Sequence, residues 1–137
     1  MVIDENIPRT NISNAENGGV ASAGINASAL GDVNGDGIDD FILGGPEDSP
    51  FESSFTFSTG SAFVLFGNTS FGDTLRLADL DGSNGFTVEG SQNLRDFGLY
   101  VDGAGDFNQD GLSDILIGGR STFNDINGLN ACLIYGK

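Results

Sequence analysis

The apolar residues of this chain fall in short runs separated by segments rich in Gly, Asn, Asp and Ser. Runs of this length are too short for helices, which need about ten residues of apolar periodicity, and they are typical of strands. We predict strands at Ile25–Leu30, Phe41–Gly44, Ser61–Phe66, Phe86–Glu89, Leu99–Ala104, Ile115–Gly118 and Asn130–Tyr135. Residues 1–22 contain only isolated apolar positions and allow one short strand at most. The pattern therefore predicts an all-β protein.

The apolar and polar pattern in the second half of the chain repeats that in the first half. The stretch Gly31–Gly45 returns 74 residues later as Gly105–Gly119, and Ala62–Gly67 returns 69 residues later as Ala131–Gly136. A repeat of this length indicates stacked or radially arranged supersecondary units. Four short antiparallel strands per unit would make one blade of a β-propeller.

Each unit also contains a nine-residue loop rich in oxygen side chains. Oxygen-bearing residues stand at loop positions 1, 3, 5 and 9, and a Gly stands at position 6. Ca²⁺ suits such a loop, because it takes roughly six to eight oxygen ligands in flexible geometry. The expected ligands of the first loop are Asp32, Asn34, Asp36, the Ile38 carbonyl and Asp40, and those of the second are Asp106, Asn108, Asp110, the Leu112 carbonyl and Asp114. Gly37 and Gly111 are expected to allow the sharp turn of each loop.

Besides a calcium site, a solvated turn and a helix–loop–helix calcium module are two further interpretations of these loops. Asp, Asn and Gly are also the commonest turn residues, so a single loop of this kind is also compatible with a solvated hairpin turn. Two copies in the same frame of a larger repeat favour metal loops. A helix–loop–helix calcium module needs an acidic residue at position 12 and a helix after it. Position 12 is Leu43 or Ile117, and Gly-Gly follows each, which excludes that module.

Composition narrows the range of partners. The net charge is −15, with five basic residues and no His, so no nucleic acid is expected as a partner, since binding one requires a basic surface. No apolar stretch approaches membrane-spanning length, and the N-terminus lacks the pattern of a signal peptide. Cys132 stands alone in an apolar run and is expected to be a small buried side chain. No His and no nucleophile-elbow pattern are present, so no enzymatic activity is expected.

With this repeat and these loops, the sequence resembles the FG-GAP repeats of integrin α-subunit propellers and related bacterial proteins. The second unit has Phe97-Gly98 for the FG pair, the loop Asp106–Asp114, and Ile117-Gly118-Gly119 at the GAP position. The first unit has Gly44-Gly45-Pro46 there, but Ala23-Gly24 replaces Phe-Gly. The resemblance covers roughly residues 23–136. It implies two four-stranded antiparallel blades, at 23–90 and 91–137, the second without its outer strand, and leaves residues 1–22 as a candidate closing strand.

The resemblance also implies a function. Ca²⁺ would hold the two loops rigid, and the module would serve cell adhesion or protein recognition at the cell surface or outside the cell. The loops 46–60 and 120–129 would lie on the face that binds protein ligands. Two alternatives stay open: spacer blades in a larger surface protein, and an accessory domain of a secreted hydrolase.

Two blades do not close a propeller, which takes about four to eight. Three interpretations follow from this shortfall. The sequence is a piece of a longer protein, or three or four identical chains assemble a ring, or the two blades form an isolated, weakly stable pair.

Overall fold

The computed structural model describes residues 9–13, 26–45, 60–69, 72–90, 94–121 and 131–137. Apart from one short 3-10 turn, the regular structure in these ranges is all β, which confirms the predicted class. The strands are β1 (Asn11–Ser13), β2 (Asn26–Gly31), β3 (Asp40–Gly45), β4 (Ser61–Leu65), β5 (Thr74–Arg76), β6 (Gly85–Glu89), β7 (Leu94–Gly105), β8 (Asp114–Ser121) and β9 (Ala131–Ile134), and the 3-10 turn is Leu77–Asp79.

Each repeat forms its own antiparallel sheet. The first unit has four strands in the order β2-β3-β4-β6, which is the expected meander. The second unit has three strands in the order β7-β8-β9 in the part of the chain that the structure describes. The first unit thus has the four strands expected of a blade, and the second has the three expected of a blade without its outer strand, while the described sheets do not form a closed propeller.

The strand β7 is longer than its apolar pattern indicated. It was predicted from Leu99, but it begins at Leu94. Its register with β8 shifts between Arg95 and Tyr100, where Asp96 has φ of 54° and Gly98 has φ of 85°. Such an irregularity breaks the alternation of side chains on which the prediction depended.

The two sheets pack face to face around one core. From the first unit, Ile42 and Val64 are fully buried, and they share a cluster with Ile115 and Ile117 of the second unit. Burying each such side chain stabilises the fold by about 1.5–3 kcal/mol. Cys132 packs against this cluster and is half-buried, with a free thiol, so it is less enclosed than expected.

The opposite face of the first unit is covered by the segment that links β4 to β6. Leu77 packs there against Phe63 and Leu65 of β4. Strand β1 pairs in parallel with β5 of the same segment, so residues 11–13 lie beside the first unit. Neither β5 nor the 3-10 turn was predicted, because each is only three residues long.

The Phe-Gly pair of the second unit lies where the two sheets touch. Phe97 is 3% exposed and belongs to the shared core. A Cβ atom at Gly98 would overlap the carbonyl oxygen of Ser61, and one at Gly44 would overlap the carbonyl oxygen of Gly98. The glycines of the two motifs therefore allow the backbones of neighbouring units to meet directly.

Candidate metal loops

The first carboxylate of each loop holds the turn together. Asp32 Oδ1 accepts a hydrogen bond from the Gly35 amide at 2.7 Å, and Asp32 Oδ2 accepts one from the Gly37 amide at 2.9 Å. In the second loop, Asp106 accepts from the amides of Asp110 and Gly111 at 3.0 and 2.9 Å. In both loops the backbone thus wraps around the carboxylate at position 1.

Positions 3 and 5 form a linked pair in both loops. In the first loop Asn34 Oδ1 accepts from the Asp36 amide at 2.9 Å, and Asn34 Nδ2 donates to Asp36 Oδ2 at 3.0 Å. The corresponding distances for Asn108 and Asp110 are 3.1 and 2.8 Å. The position-5 carboxylate also accepts from the amide of position 7, Ile38 or Leu112.

The position-9 carboxylates are buried. Asp40 is 2% exposed, and its two oxygens accept from the amides of Val33 at 2.9 Å and Gly67 at 2.7 Å. Asp114 is 0% exposed and accepts from the amides of Phe107 at 2.8 Å and Gly136 at 3.0 Å. Each of these carboxylates therefore fastens its loop to the residues that follow the third strand of its sheet.

The amides of Gly67 and Gly136 were not among the predicted site residues. Their signal in the sequence was the repeat itself, because each follows an aromatic residue at the same point of its unit. Nothing in the local sequence of the loop indicates so distant a hydrogen bond. The repeat shows that the two glycines are equivalent, but that their amides donate to the loop carboxylates follows only from the pairing of the third strand of each sheet.

Electrostatics disfavour the ionised form of Asp40, the buried carboxylate of the first loop. Burial raises the pKa of Asp40 above its ordinary value, and the nearby charges of Asp36 and Asp32 raise it further, while the Gly67 and Val33 amides act in the opposite direction. A cation bound in the loop would lower the pKa of Asp40, since a nearby positive charge favours the ionised carboxylate.

The backbone of the loops turns as the sequence predicted. Gly37 and Gly111 have φ of 84° and 93°, in the left-handed region. A second left-handed residue occurs at position 4, where the first loop has Gly35 with φ of 79° and the second has Gln109 with φ of 63°.

The structure thus brings the predicted side chains of each loop into one hydrogen-bonded turn, with positions 1, 3 and 5 near the surface and position 9 buried. Within the described residues, no group of three or more His, Cys, Asp or Glu side chains is already gathered as a metal cage. The donor set still fits a hard cation, because a carboxylate oxygen that accepts one amide keeps acceptor capacity for a second partner.

The first loop rests on the second unit. The Asp32 carbonyl accepts from the Ser113 amide at 2.8 Å, and the Val33 carbonyl accepts from the Lys137 amide at 2.9 Å. Val33 is 3% exposed, whereas Phe107, its equivalent in the second loop, is 67% exposed. The first loop is therefore part of the contact between units, and the second is open on that side.

Most of the two loops proposed for ligand recognition, residues 46–59 and 122–129, lies outside the described residues, and so do Ala23 and Gly24. No helix among the described residues has the length and apolar character needed to cross a membrane.

The sequence is similar to a known repeat family and to two known proteins. Residues 25–65 match the FG-GAP repeat. The chain is 33% identical over 105 residues to a phosphatidylinositol-glycan-specific phospholipase D of Dictyostelium discoideum, a match that covers 68% of this chain and 10% of that protein. It is 34% identical over 103 residues to integrin alpha-2 of Mus musculus, covering 75% of this chain and 8% of that protein. The chain spans about a tenth of the length of these relatives.

Proposed function

Residues 25–65 of this chain are an FG-GAP repeat, and on that premise we propose that the chain is a calcium-binding propeller module for cell adhesion or protein recognition outside the cell. The observation that carries the proposal is the matching arrangement of the two loops. Their sequences differ at positions 2, 4, 7 and 8, yet the same oxygens accept the same backbone amides. The similarity to integrin alpha-2 supports the adhesive role.

The residues that would hold Ca²⁺ are those at positions 1, 3, 5 and 9 of each loop, with the carbonyl of position 7. The ion would supply positive charge where several carboxylates share one turn. Binding to the folded chain alone would stabilise it by mass action, by about 2.7 kcal/mol at a free concentration one hundred times the dissociation constant. The role is structural, and no catalytic step is assigned to the ion.

Calorimetric titration with Ca²⁺ tests the metal sites. We expect one ion for each loop, and a melting temperature that rises with Ca²⁺ and falls in chelator. The paired substitution Asp36→Asn with Asp110→Asn should abolish both effects. Its matched control is Asp39→Asn with Asp79→Asn, which removes the same charge from exposed positions outside the ligand set. Equal melting temperatures in Ca²⁺ and chelator for the unchanged chain would refute the metal sites.

Attachment of cells to surfaces coated with the chain tests the recognition role. We expect attachment that needs Ca²⁺ and that is lost when residues 46–60 are replaced by a Gly-Ser segment of equal length. A chain that binds Ca²⁺ and supports no attachment would contradict the recognition role and favour spacer blades of a larger surface protein.

The similarity to the phospholipase D favours a second candidate, an accessory module of a secreted hydrolase. What that name states belongs to the whole relative, of which the match covers 10%. The two candidates differ in where the partner lies. An accessory module should bind the catalytic part of its own protein, which pull-down with that part as bait would reveal, and it should not support cell attachment.

Assembly of three or four copies into a ring stays a prediction. The open face of the second unit supports it, since Phe107 and Leu116 are 67% and 43% exposed there. The covered face of the first unit opposes direct contact between blades, because Leu77 already packs on Phe63 and Leu65. Light scattering after size exclusion decides the question: a trimer or tetramer in Ca²⁺ supports the ring, and a monomer contradicts it.

A further inference from the structure

The two metal loops are in direct contact with each other. The hydrogen bond of 2.8 Å from the Ser113 amide to the Asp32 carbonyl joins position 8 of the second loop to position 1 of the first. In the chain, Ser113 stands between Leu112 and Asp114, the residues at positions 7 and 9 of the second loop. A residue held between two expected ligands of one site therefore donates a hydrogen bond to an expected ligand residue of the other site.

A second path joins the two buried carboxylates at position 9. Asp114 accepts from the Gly136 amide at 3.0 Å, and the next residue, Lys137, donates its amide to the Val33 carbonyl at 2.9 Å. The Val33 amide in turn donates to Asp40 at 2.9 Å. Hydrogen bonds and two short pieces of backbone thus connect the carboxylate of one loop to the carboxylate of the other.

The space between the loops is filled by backbone. A Cβ atom at Gly136 would lie 2.6 Å from the Ser113 carbonyl oxygen and 2.9 Å from the Val33 carbonyl oxygen, and one at Gly31 would lie 2.5 Å from the Ser113 hydroxyl. Neither glycine has room for a side chain. Because closely packed groups transmit displacement, a change in the backbone of one loop must move the other.

Resting on the proposed calcium sites, we propose that the two loops bind Ca²⁺ cooperatively, with Ser113 and Lys137 of the second unit as positioning residues for the first loop. When Leu112 and Asp114 are held as ligands, the Ser113 amide between them is held in place as well. Part of the cost of ordering Asp32 is then already met before the first loop is filled. Such a coupling is reciprocal, so each loop raises the affinity of the other by the same factor.

Charge alone gives the opposite expectation. The chain has a net charge of −15, and an ion in one loop makes the neighbouring loop less attractive to a second ion. This repulsion is screened over about 8 Å at physiological ionic strength, whereas the hydrogen-bonded contact between the loops is direct. The sign of the coupling therefore separates the two effects: the contact makes the second ion bind more tightly, and charge makes it bind more weakly.

NMR titration of the isotopically labelled chain with Ca²⁺ at physiological ionic strength measures the coupling. The amides of Gly37 and Gly111 report the first and second loops separately. Asp36→Asn disables the first loop and Asp110→Asn disables the second. We expect the intact loop of each variant to bind about fivefold more weakly than the same loop in the unchanged chain with its neighbour filled, and by the same factor in both variants.

The charge that these variants remove does not produce this result. An empty loop that has lost one carboxylate is still one charge more negative than the intact loop holding Ca²⁺. Charge alone therefore predicts that the remaining loop of each variant binds more tightly, not more weakly, than the same loop beside a filled neighbour.

A further variant tests the link through Lys137. Lys137→Pro removes the amide that donates to the Val33 carbonyl, and Lys137→Ala is the matched control, since it removes the same side chain and charge but keeps the amide. With each combined in turn with Asp110→Asn, we expect the fivefold factor to fall to about twofold for Lys137→Pro, because one of the two paths is lost, and to be kept for Lys137→Ala.

The outcomes separate this proposal from the calcium sites on which it rests. Binding in the single variants as tight as in the unchanged chain, or tighter, would overturn the coupling and leave the sites standing. No Ca²⁺-dependent shift at Gly37 or Gly111 would overturn the sites and the coupling together. Equal factors for Lys137→Pro and Lys137→Ala would overturn the role of Lys137. The single variants Asp36→Asn and Asp110→Asn decide the coupling even if Lys137→Pro does not fold.

Discussion

A single residue in the second loop, Gln109, adopts the left-handed conformation that Gly35 adopts in the first. A side chain with a Cβ atom costs about 1–2 kcal/mol in this region, and a glycine there costs about 0.5–1 kcal/mol of extra unfolded-state entropy. We therefore expect Gln109→Gly to raise the free energy of unfolding by about 0.5–1 kcal/mol, measured by urea denaturation in chelator. The control Gln109→Ala keeps the Cβ atom, and a similar gain from it would contradict the strain argument.

Asp81 provides a second test at the scale of one residue. The Ser83 hydroxyl donates to Asp81 Oδ1 at 2.7 Å and the Ser83 amide donates at 2.9 Å, and together they lower the Asp81 pKa below its ordinary value of 3.8. A lowered pKa means that this carboxylate stabilises the folded chain above pH 3.8 and loses the effect as the pH falls through its folded pKa.

We expect Ser83→Ala to raise the Asp81 pKa toward 3.8, because the hydroxyl is the largest cause of the lowering. NMR titration of the side-chain carboxyl carbon measures it. The substitution Thr87→Ala, at an exposed position of β6, serves as the control and should leave this titration unchanged. An Asp81 pKa that is the same with and without the Ser83 hydroxyl would contradict the assignment.

At the scale of the element, each loop is joined to its sheet by one buried carboxylate. Replacing Asp40 with Asn keeps the shape but leaves one of the amides of Val33 and Gly67 facing an NH₂ group, which cannot accept. A buried donor without a partner costs about 1–3 kcal/mol. We expect a loss of that size in the free energy of unfolding of Asp40→Asn, measured in chelator so that metal binding does not contribute.

The neighbouring substitution Asp39→Asn is the control for charge. Asp39 is exposed, so its replacement should change stability by no more than about 0.5 kcal/mol. Equal free energies of unfolding for Asp39→Asn and Asp40→Asn would show that the buried hydrogen bonds of Asp40 do not hold the loop to its sheet.

The elements predicted correctly from the sequence are those marked by a regular pattern of apolar residues. The strands from β2 to β4 were predicted to within one residue at each end, because Gly or Asp residues bound each of them in the sequence. The early part of β7 was missed since a backbone irregularity interrupts its alternation. The ten predicted ligand positions followed from spacing alone, whereas the hydrogen bond from Gly67 to Asp40 spans 27 residues and depends on how the strands pair.

At the scale of the whole molecule, the two units form one folded body because their backbones meet at glycine. Gly98, with φ of 85°, lies against the Ser61 carbonyl, and Phe97 beside it fills the core that both sheets share. A unit that lost this contact would expose its half of the core to water. The two units should therefore unfold together rather than one after the other.

The substitution Gly98→Ala tests this dependence. It adds a methyl group where the Ser61 carbonyl already lies, so the sheets must separate. We expect a loss of more than about 3 kcal/mol in the free energy of unfolding, with hydrogen-exchange protection lost in both sheets. Gly105→Ala is the matched control: Gly105 also has a left-handed φ, of 64°, but no atom lies near its added Cβ, so its loss should be about 1–2 kcal/mol. Equal losses, or protection lost from one sheet only, would show that the contact between the backbones does not couple the two units.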